Sequence, residues 1–296
     1  MHAGVLLVDK PGGMTSHDVV SRARRALGTR KIGHAGTLDP MATGLLVLGV
    51  EGATRLLTYL VGLDKTYLAT IRLGAATTTD DAEGEIASVA EPAALEAATD
   101  ERIANGIASL TGEISQVPSS VSAIKVNGRR AYDLARAGEQ VELKARTVTV
   151  SRFEVLETRR GADGIDLDVV VDCSSGTYIR ALARDLGEAL GVGGHLTALR
   201  RTRIGRFDVA EAVAVDAIAG DALIGPAAAA ERAVGRVEVS AVEARDLRHG
   251  KRLEGAAARL PGAVAAAVDP DGRLVGIVEA RGSALKSAMN MPEVRA

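Results

Sequence analysis

Residues 33–44 have the sequence GHAGTLDPMATG and lie between two apolar stretches at 4–9 and 45–50. Because three glycines and a proline interrupt any periodicity, the pattern predicts a loop over 30–44. Glycine allows a backbone to approach a ligand closely, and Pro40 favours an extended conformation at Asp39. The loop can therefore hold one carboxylate at its tip. The alternative is that Asp39 only caps a turn, and the sequence pattern of the loop fits that role equally well.

The sequence on either side of this loop alternates short strands and helices. Ser16 is predicted to cap a helix that ends near Gly28, and a helix is expected at 178–190. The Asn127-Gly128 pair predicts a tight hairpin turn. Strands are predicted at 4–9, 45–50, 67–73, 146–157 and 165–173, further helices at 54–61 and 101–110, an exposed acidic loop at 76–101, a linker of Gly225-Pro226 and alanines after about 220, and a β-rich tail at 236–296. This mixture of hairpins and helices predicts an α+β fold with a small β-rich domain at the end.

Charge is segregated along the chain although the net charge is only −2. Residues 73–101 contain eight acidic residues and no Lys or Arg, whereas 22–31 and 195–206 contain basic residues and no acidic ones. Such segregation can create a positive face for nucleic acid on a nearly neutral protein. Solvated helix faces would give the same pattern, so charge alone does not decide between them.

Several function classes are excluded or made less favourable by composition. No apolar stretch approaches the roughly 20 residues that a bilayer needs, and no signal peptide is recognised. Cys173 is the only cysteine, which excludes an internal disulfide and a multi-cysteine metal site and fits a reducing compartment, the cytoplasm. We expect Cys173 to be a small buried residue and not a nucleophile. With no Trp and few other aromatic residues, a site that stacks a base must use Tyr, Phe, His or Arg.

Five other stretches accompany the loop in a fixed order. They are KPGGMTS at 10–16, DKTY at 64–67, Val117-Pro118-Ser119 through Ser122–Lys125 with Gly128 and Tyr132, CSSGTYIR at 173–180, and His195 through Leu199-Arg200-Arg201. Together with residues 33–44, this series resembles the motifs of the TruB family of bacterial pseudouridine synthases over about residues 4–205. The resemblance implies a mixed, largely antiparallel sheet flanked by helices in a catalytic domain at 1–232. It also implies a PUA-like RNA-binding domain at 233–296.

The resemblance also implies roles for individual residues. Asp39 matches the catalytic aspartate, Tyr67 matches the tyrosine that stacks near the target base and takes the proton from its C5, and Arg180 matches the arginine that pairs with the carboxylate. The expected substrate-binding residues are His34 near the site of base extrusion, Tyr178 and Leu199 against the flipped base, and Lys10 in the first motif.

The implied reaction is the isomerisation of uridine to pseudouridine at position 55 in the T loop of tRNA. The N1–C1′ bond breaks, the base turns, and C5 joins C1′. Because the net reaction is an isomerisation, no metal and no cofactor are expected. Asp39 could attack C1′ or remove the C2′ proton. The expected partner is the tRNA T arm, with no membrane and no obligate protein partner, for a protein that acts as a monomer.

Three other functions remain open at the level of sequence. A glycoside or nucleoside hydrolase also uses a carboxylate at C1′, but it needs a second carboxylate, for which Asp9 and Asp18 are candidates. A non-catalytic RNA-binding protein needs basic surfaces but not Asp39, Tyr67 and Arg180 together. A pseudouridine synthase that acts on ribosomal RNA has a different pattern around its aspartate, so tRNA is the preferred substrate.

Overall fold

A computed structural model of the chain describes residues 3–119, 125–126, 129–130 and 144–292. The strands are β1 (Gly4–Lys10), β2 (Ile32–His34), β3 (Thr43–Val50), β4 (Lys65–Leu73), β5 (Ala75–Thr77), β6 (Ile86–Val89), β7 (Gly112–Gln116), β8 (Lys125–Val126), β9 (Arg129–Arg130), β10 (Arg146–Gly161), β11 (Gly164–Cys173), β12 (Gly194–Ile204), β13 (Phe207–Asp208), β14 (Val213–Ala214), β15 (Arg236–Glu238), β16 (Val264–Val268), β17 (Leu274–Arg281) and β18 (Ala284–Asn290). The α-helices are α1 (Ser16–Ala26), α2 (Leu57–Val61), α3 (Pro92–Ala97), α4 (Asp100–Ser109), α5 (Ile179–Leu190), α6 (Pro226–Val234) and α7 (Ala241–Arg248).

The chain forms two compact units. The first consists of Met1–Leu38, Gly44–Leu63 and Arg203–Ala296, and the second consists of Asp39–Thr43 and Asp64–Thr202. This α+β architecture, with mostly antiparallel strand pairs, helices and a β-rich C-terminal part, confirms the predicted fold class.

The first unit is organised around β1 and β3, which pair antiparallel. Both faces of this pair are buried, because Val5 and Leu7 belong to one apolar core and Leu6 and Val8 belong to another. This double burial explains why both strands appear in the sequence as continuous apolar runs. β2 pairs with β3, and β14 lies parallel to β1.

The C-terminal part of the first unit is a four-stranded sheet in the order β15-β16-β17-β18. Ala266 and Ile277 on this sheet lie in the same apolar core as Val5 of β1. Its opposite face packs with Leu247 of α7 in a separate core. The tail is therefore β-rich, as predicted, and it contributes directly to the core of the N-terminal strands.

The second unit contains a sheet in which β12, β4, β11, β10 and β7 lie side by side. β11 pairs antiparallel with both β4 and β10, and β10 pairs antiparallel with β7. Helix α5 packs against α4 and against β4. Its large buried apolar side chains, Ile179, Leu182, Leu186 and Leu190, follow the three-to-four-residue spacing of an amphipathic helix, and Gly191 ends it in a left-handed conformation.

Four local predictions differ from the structure. Thr15, and not Ser16, caps α1, because the Thr15 and Asp18 side chains bond to each other's backbone N–H in a capping box. The loop at 30–44 contains the short strand β2. The acidic stretch is an ordered β5–β6 hairpin followed by α3, and the alanine-rich linker is helix α6, with Pro226 at its first turn.

A hairpin was predicted at Asn127-Gly128, and the structure describes only the two strands on either side of this turn. β8 and β9 pair antiparallel, with Val126 opposite Arg129. The two turn residues lie outside the described residues, as do Ser122–Ile124 and Tyr132 of the corresponding motif.

Candidate active site

The segment that leads into Asp39 is anchored by Ser16 of the first motif. The Leu38 N–H donates to Ser16 Oγ at 2.9 Å, and Ser16 Oγ donates to the Leu38 carbonyl at 3.2 Å. Ser16 and Leu38 are both buried. After Asp39 the chain makes a turn in which the Ala42 N–H bonds to the Asp39 carbonyl at 3.1 Å. A buried hydroxyl therefore fixes the residue directly before the carboxylate.

Asp39 forms an ion pair with Arg180. The Asp39 Oδ2 atom lies 3.1 Å from Arg180 Nε, and the side chain of Asp39 is 36% exposed while that of Arg180 is 5% exposed. A charge-assisted contact of this kind fixes the direction of the carboxylate. The carboxylate thus lies at an accessible surface and is held from the buried side.

The Arg180 guanidinium also pairs with Asp81, a residue that the sequence analysis did not predict at the site. Arg180 Nη1 lies 3.3 Å from Asp81 Oδ2, and it donates to the Thr79 carbonyl at 2.9 Å. The Asp81 side chain is only 4% exposed, and its Oδ1 accepts bonds from Thr79 Oγ1 and the Glu83 N–H. Asp81 therefore acts as an internal counter-ion that holds Arg180 in place.

Two carboxylates are needed here because of the position of Arg180. It lies in the first turn of α5, where the helix dipole is positive and a cation is disfavoured. Burial adds a desolvation penalty for the guanidinium. Asp39 and Asp81 offset both effects, and the three groups together carry one net negative charge. That charge is most exposed at Asp39.

Tyr67 is a buried residue of β4 that is hydrogen-bonded to Arg201 of β12. Burial raises the pKa of the Tyr67 phenol and the nearby Asp39 charge raises it further, while Arg201 acts in the opposite direction. The phenol is therefore protonated at neutral pH. Arg201 is 1% exposed. The sequence analysis placed it in the last motif and in a basic stretch but gave it no role at the site.

Lys65, another buried cation, lies on the same strand as Tyr67. Burial, together with the charge of Arg201, lowers the pKa of the Lys65 ammonium to about 8. Lys65 is opposite Cys173 of β11, and burial raises the pKa of that thiol to about 11. Cys173 is therefore a buried neutral thiol, as predicted from the sequence.

Tyr178 and Leu199 lie in the same unit as Asp39, Tyr67 and Arg180. Tyr178 is the N-cap residue of α5 and is half-buried, two positions before Arg180. Leu199 is buried on β12 and lies two residues before Arg201. Because alternate residues of a strand share a face, Leu199 is on the same side of the sheet as Arg201 and Tyr67.

Lys10 and His34 belong to the first unit. Lys10 is fully buried, and its Nζ donates to the carbonyls of Pro11 at 2.9 Å and Met14 at 2.6 Å. This geometry gives Lys10 a structural role in the first motif, and direct substrate binding by Lys10 stays a prediction. His34 ends β2, with its ring 5.9 Å from that of His17 in an edge-to-face arrangement.

The geometry is informative about a hydrolytic alternative. The carboxylate of Asp18 is committed to the cap of α1, where it accepts bonds from the Thr15 N–H and hydroxyl. Asp81 accepts bonds through both of its oxygens and is buried. The bonds from Thr15 lower the pKa of the Asp18 carboxyl, which opposes the role of a general acid in a hydrolase of this type. Asp9, the other carboxylate considered from the sequence, lies half-buried on β1 opposite Leu45.

Comparisons with known protein families identify the family to which the chain is similar. Residues 24–179 match the N-terminal domain of the TruB family of pseudouridylate synthases. Residues 180–237 match the tRNA pseudouridylate synthase B C-terminal domain, and residues 235–292 match the C-terminal part of tRNA pseudouridine synthase II.

Individual relatives give the same result over nearly the whole chain. A protein named tRNA pseudouridine synthase B from Leifsonia xyli subsp. xyli is 60% identical over 98% of this chain and 97% of its own length. A protein of the same name from Nocardia farcinica is 58% identical over 94% of this chain and 90% of its own. A solved H/ACA ribonucleoprotein bound to a substrate RNA containing 2′-deoxyuridine superimposes with a TM-score of 0.71 at 26% identity, covering 98% of this chain and 85% of that one.

Replacing Asp81 tests its role as the counter-ion of Arg180. We expect Asp81→Asn to destabilise the protein by about 3 kcal/mol, since it leaves a buried guanidinium partly uncompensated. Single-turnover isomerisation of uridine should slow by about tenfold or more, because Arg180 then orients Asp39 less well. Glu154→Gln is the matched control. It removes an exposed carboxylate on β10 in the same unit, so stability and rate should change little. Denaturant unfolding and single-turnover assays decide, and a wild-type rate for Asp81→Asn would contradict this role.

The Tyr67–Arg201 contact is tested by a double-mutant cycle. We expect Arg201→Met to slow the single-turnover rate, since the Tyr67 hydroxyl loses its partner, and Arg201→Lys to retain more of that rate. In a Tyr67→Phe background, Arg201→Met should cause little further loss, because contacting residues are not additive. Additive losses in the two backgrounds would show that Arg201 acts independently of Tyr67.

Proposed function

The chain belongs to the TruB family of pseudouridine synthases and isomerises uridine to pseudouridine in tRNA, and we propose that Asp39 is the carboxylate that carries out this reaction. The observation that supports this assignment is the sharing of Arg180 between a buried Asp81 and a partly exposed Asp39. Because Arg180 divides its charge between two partners, Asp39 is oriented without being fully neutralised. A carboxylate in this state can act on a sugar carbon or proton.

The reaction needs one carboxylate and no added reagent. The N1–C1′ bond breaks, C5 bonds to C1′, the proton on C5 leaves, and N1 gains a proton. Asp39 can enter this sequence in two ways, by attack on C1′ to form a covalent ester or by removal of the C2′ proton to form a glycal. Both routes use the same oxygen atoms of Asp39 and regenerate the carboxylate at the end.

Tyr67 is proposed to hold the uracil ring and to take part in the loss of the C5 proton. Stacking of a base on an aromatic ring contributes about 1–3 kcal/mol, which offsets much of the few kcal/mol that base flipping costs. As a protonated phenol, Tyr67 can accept the C5 proton only as its own proton passes on, ultimately to N1 of the turned base, which gains one proton in the net reaction. The Arg201 guanidinium, which is bonded to Tyr67, would stabilise the phenolate during that exchange.

The remaining predicted contacts surround the base and its entry route. We propose that Tyr178 and Leu199 line the uracil pocket, since they flank Arg180 in sequence and Arg201 on the same strand, respectively. His34 precedes Asp39 by five residues and is proposed to contact the RNA beside the flipped nucleotide. The proposed target is position 55 in the T loop of tRNA, reached through the T arm.

The proposed C-terminal RNA-binding domain, residues 233–296, would add phosphate contacts. Arg245 and Arg252 are exposed on and after α7, where they can reach a polyanion. Deleting the domain is a poor test, because Ala266 and Ile277 share a core with the N-terminal strands. Removing individual charges leaves that core intact.

The enzyme is proposed to act as a monomer in the cytoplasm, without an obligate protein partner. Asp39, Tyr67, Arg180, Tyr178 and Leu199 all come from one unit of one chain, so no second copy is required to supply them. No helix in the described part of the chain is long and apolar enough to cross a membrane.

Asp39→Asn tests the central assignment. The substitution keeps the size of the side chain but removes the nucleophile and base, so release of tritium from C5-labelled uridine in a T-loop hairpin should fall by at least about 10⁴-fold. Binding of tRNA should persist, because phosphate contacts and stacking supply most of the affinity. Asp163→Asn, in the turn between β10 and β11, is the control and should retain activity. Turnover near the wild-type rate in Asp39→Asn would remove Asp39 from the mechanism.

The C-terminal contribution is tested by an Arg245→Gln/Arg252→Gln double variant. If both side chains contact phosphates, tRNA affinity should fall and the slope of log affinity against log salt should decrease by about 0.7 for each lost contact. The single-turnover rate at saturating enzyme should not change. Glu254→Gln, which removes an exposed charge of opposite sign in the same segment, should not weaken binding. An unchanged affinity and slope in the double variant would argue against phosphate contacts by these two residues.

A further inference from the structure

Gln116 makes a two-point contact with the backbone of Tyr178. The Tyr178 N–H donates to Gln116 Oε1 at 2.8 Å, and Gln116 Nε2 donates to the Tyr178 carbonyl at 3.0 Å. Gln116 is the last residue of β7 and is only 1% exposed. One buried amide therefore occupies both hydrogen-bonding groups of a single residue, as a neighbouring strand would do.

This contact lies at the start of the helix that carries Arg180. Tyr178 has an extended backbone, with φ −103° and ψ 107°, and its own side chain makes no capping bond to α5. The Tyr178 carbonyl also accepts the N–H of Leu182. Gln116 thus fixes the orientation of the residue from which α5 begins, and Arg180 follows two positions later. A third bond, from Arg184 Nη2 to the Val117 carbonyl at 2.8 Å, connects the same two segments.

We propose that Gln116 is a positioning residue for the isomerisation, acting through the backbone of Tyr178 on the Tyr178 ring and on Arg180. By holding Tyr178 at two points, it limits rotation of the N-terminus of α5. That rotation would move the Tyr178 side chain and would turn the guanidinium that orients Asp39. The inference rests on the proposed catalytic role of Asp39 and adds a residue that touches neither Asp39 nor the base.

The rate of the chemical step is the quantity expected to change. A displacement of about 1 Å in a catalytic constellation can slow a reaction about 10²-fold. We therefore expect Gln116→Met, which keeps side-chain length but has no amide, to reduce the single-turnover rate of tritium release by about 10- to 100-fold. Its affinity for tRNA should stay within about threefold of wild type, because phosphate contacts dominate binding.

Thr99→Ala provides a matched control. Thr99 caps α4, the helix that packs on α5, by accepting the Arg102 N–H at 3.3 Å. Losing this cap should lower the Tm without changing the single-turnover rate. A residue with a merely structural role would behave in the same way, so the rate at full saturation separates positioning from stability.

Gln116→Glu is the second variant and adds a pH profile. An ionised carboxyl keeps an acceptor for the Tyr178 N–H but loses the donor to the Tyr178 carbonyl, whereas a protonated carboxyl can restore both bonds. Charged groups around this position are Arg184 of α5 with its partners Asp80 and Asp185, Arg180 with Asp39 and Asp81, and Arg146, which is opposite Gln116 on β10. Because these charges largely compensate one another, burial dominates and raises the pKa of the new carboxyl, which moves the recovery toward neutral pH. The rate of Gln116→Glu relative to wild type should rise as pH falls, while that of Gln116→Met should stay constant.

Wild type and Asp39→Asn are measured in the same series, so the two claims can be separated. Activity of wild type and loss of activity in Asp39→Asn test the catalytic assignment, whatever Gln116 does. A lower single-turnover rate in Gln116→Met with retained tRNA affinity supports the positioning role. A wild-type rate in Gln116→Met, or a ratio for Gln116→Glu that does not change with pH, would overturn it.

Discussion

The Arg180 guanidinium lies between two carboxylates, and the proposed chemistry depends on this arrangement. Its Nε faces Asp39 at 3.1 Å and its Nη1 faces Asp81 at 3.3 Å. A buried cation at a helix N-terminus is unfavourable by itself, because both desolvation and the helix dipole oppose it. Asp81 compensates for that charge inside the protein. Asp39 is oriented by Arg180 and stays partly exposed, as its proposed role requires.

Each surrounding element holds one member of this group. Ser16 fixes the residue before Asp39, the β5–β6 region holds Asp81 through Thr79 and the Glu83 N–H, and α5 carries Arg180. β4 lies beside β12 in the sheet, and Tyr67 of β4 is hydrogen-bonded to Arg201 of β12. These buried polar contacts contribute little net stability, since an ion pair in a protein interior is costly to desolvate. Their main effect is to fix the orientation of the side chains at the site.

The sequence predicted the parts of this account that depend on pattern and motif. The strands around the core, helix α5 and the choice of Asp39, Tyr67 and Arg180 followed from apolar periodicity and from the ordered motifs. Asp81 was missed because it is one of eight acidic residues spread over residues 73–101. The composition of that stretch predicts exposure and does not indicate that one carboxylate is buried. Arg201 was hidden in a basic cluster for the same reason, and Gln116 had no periodic or charge signal at all. Helix α6 was taken for a linker because Gly225-Pro226 also fits a helix start.

The most direct test of the shared guanidinium is the single-turnover rate of Arg180→Lys at saturating enzyme. Lysine keeps the positive charge, but its single ammonium cannot present two fixed N–H groups to two carboxylates in the forked geometry of arginine. The account predicts a rate at least about tenfold below wild type. It also predicts that tRNA affinity is nearly unchanged. A lysine variant that isomerises uridine at the wild-type rate would show that charge alone is sufficient and would contradict the account.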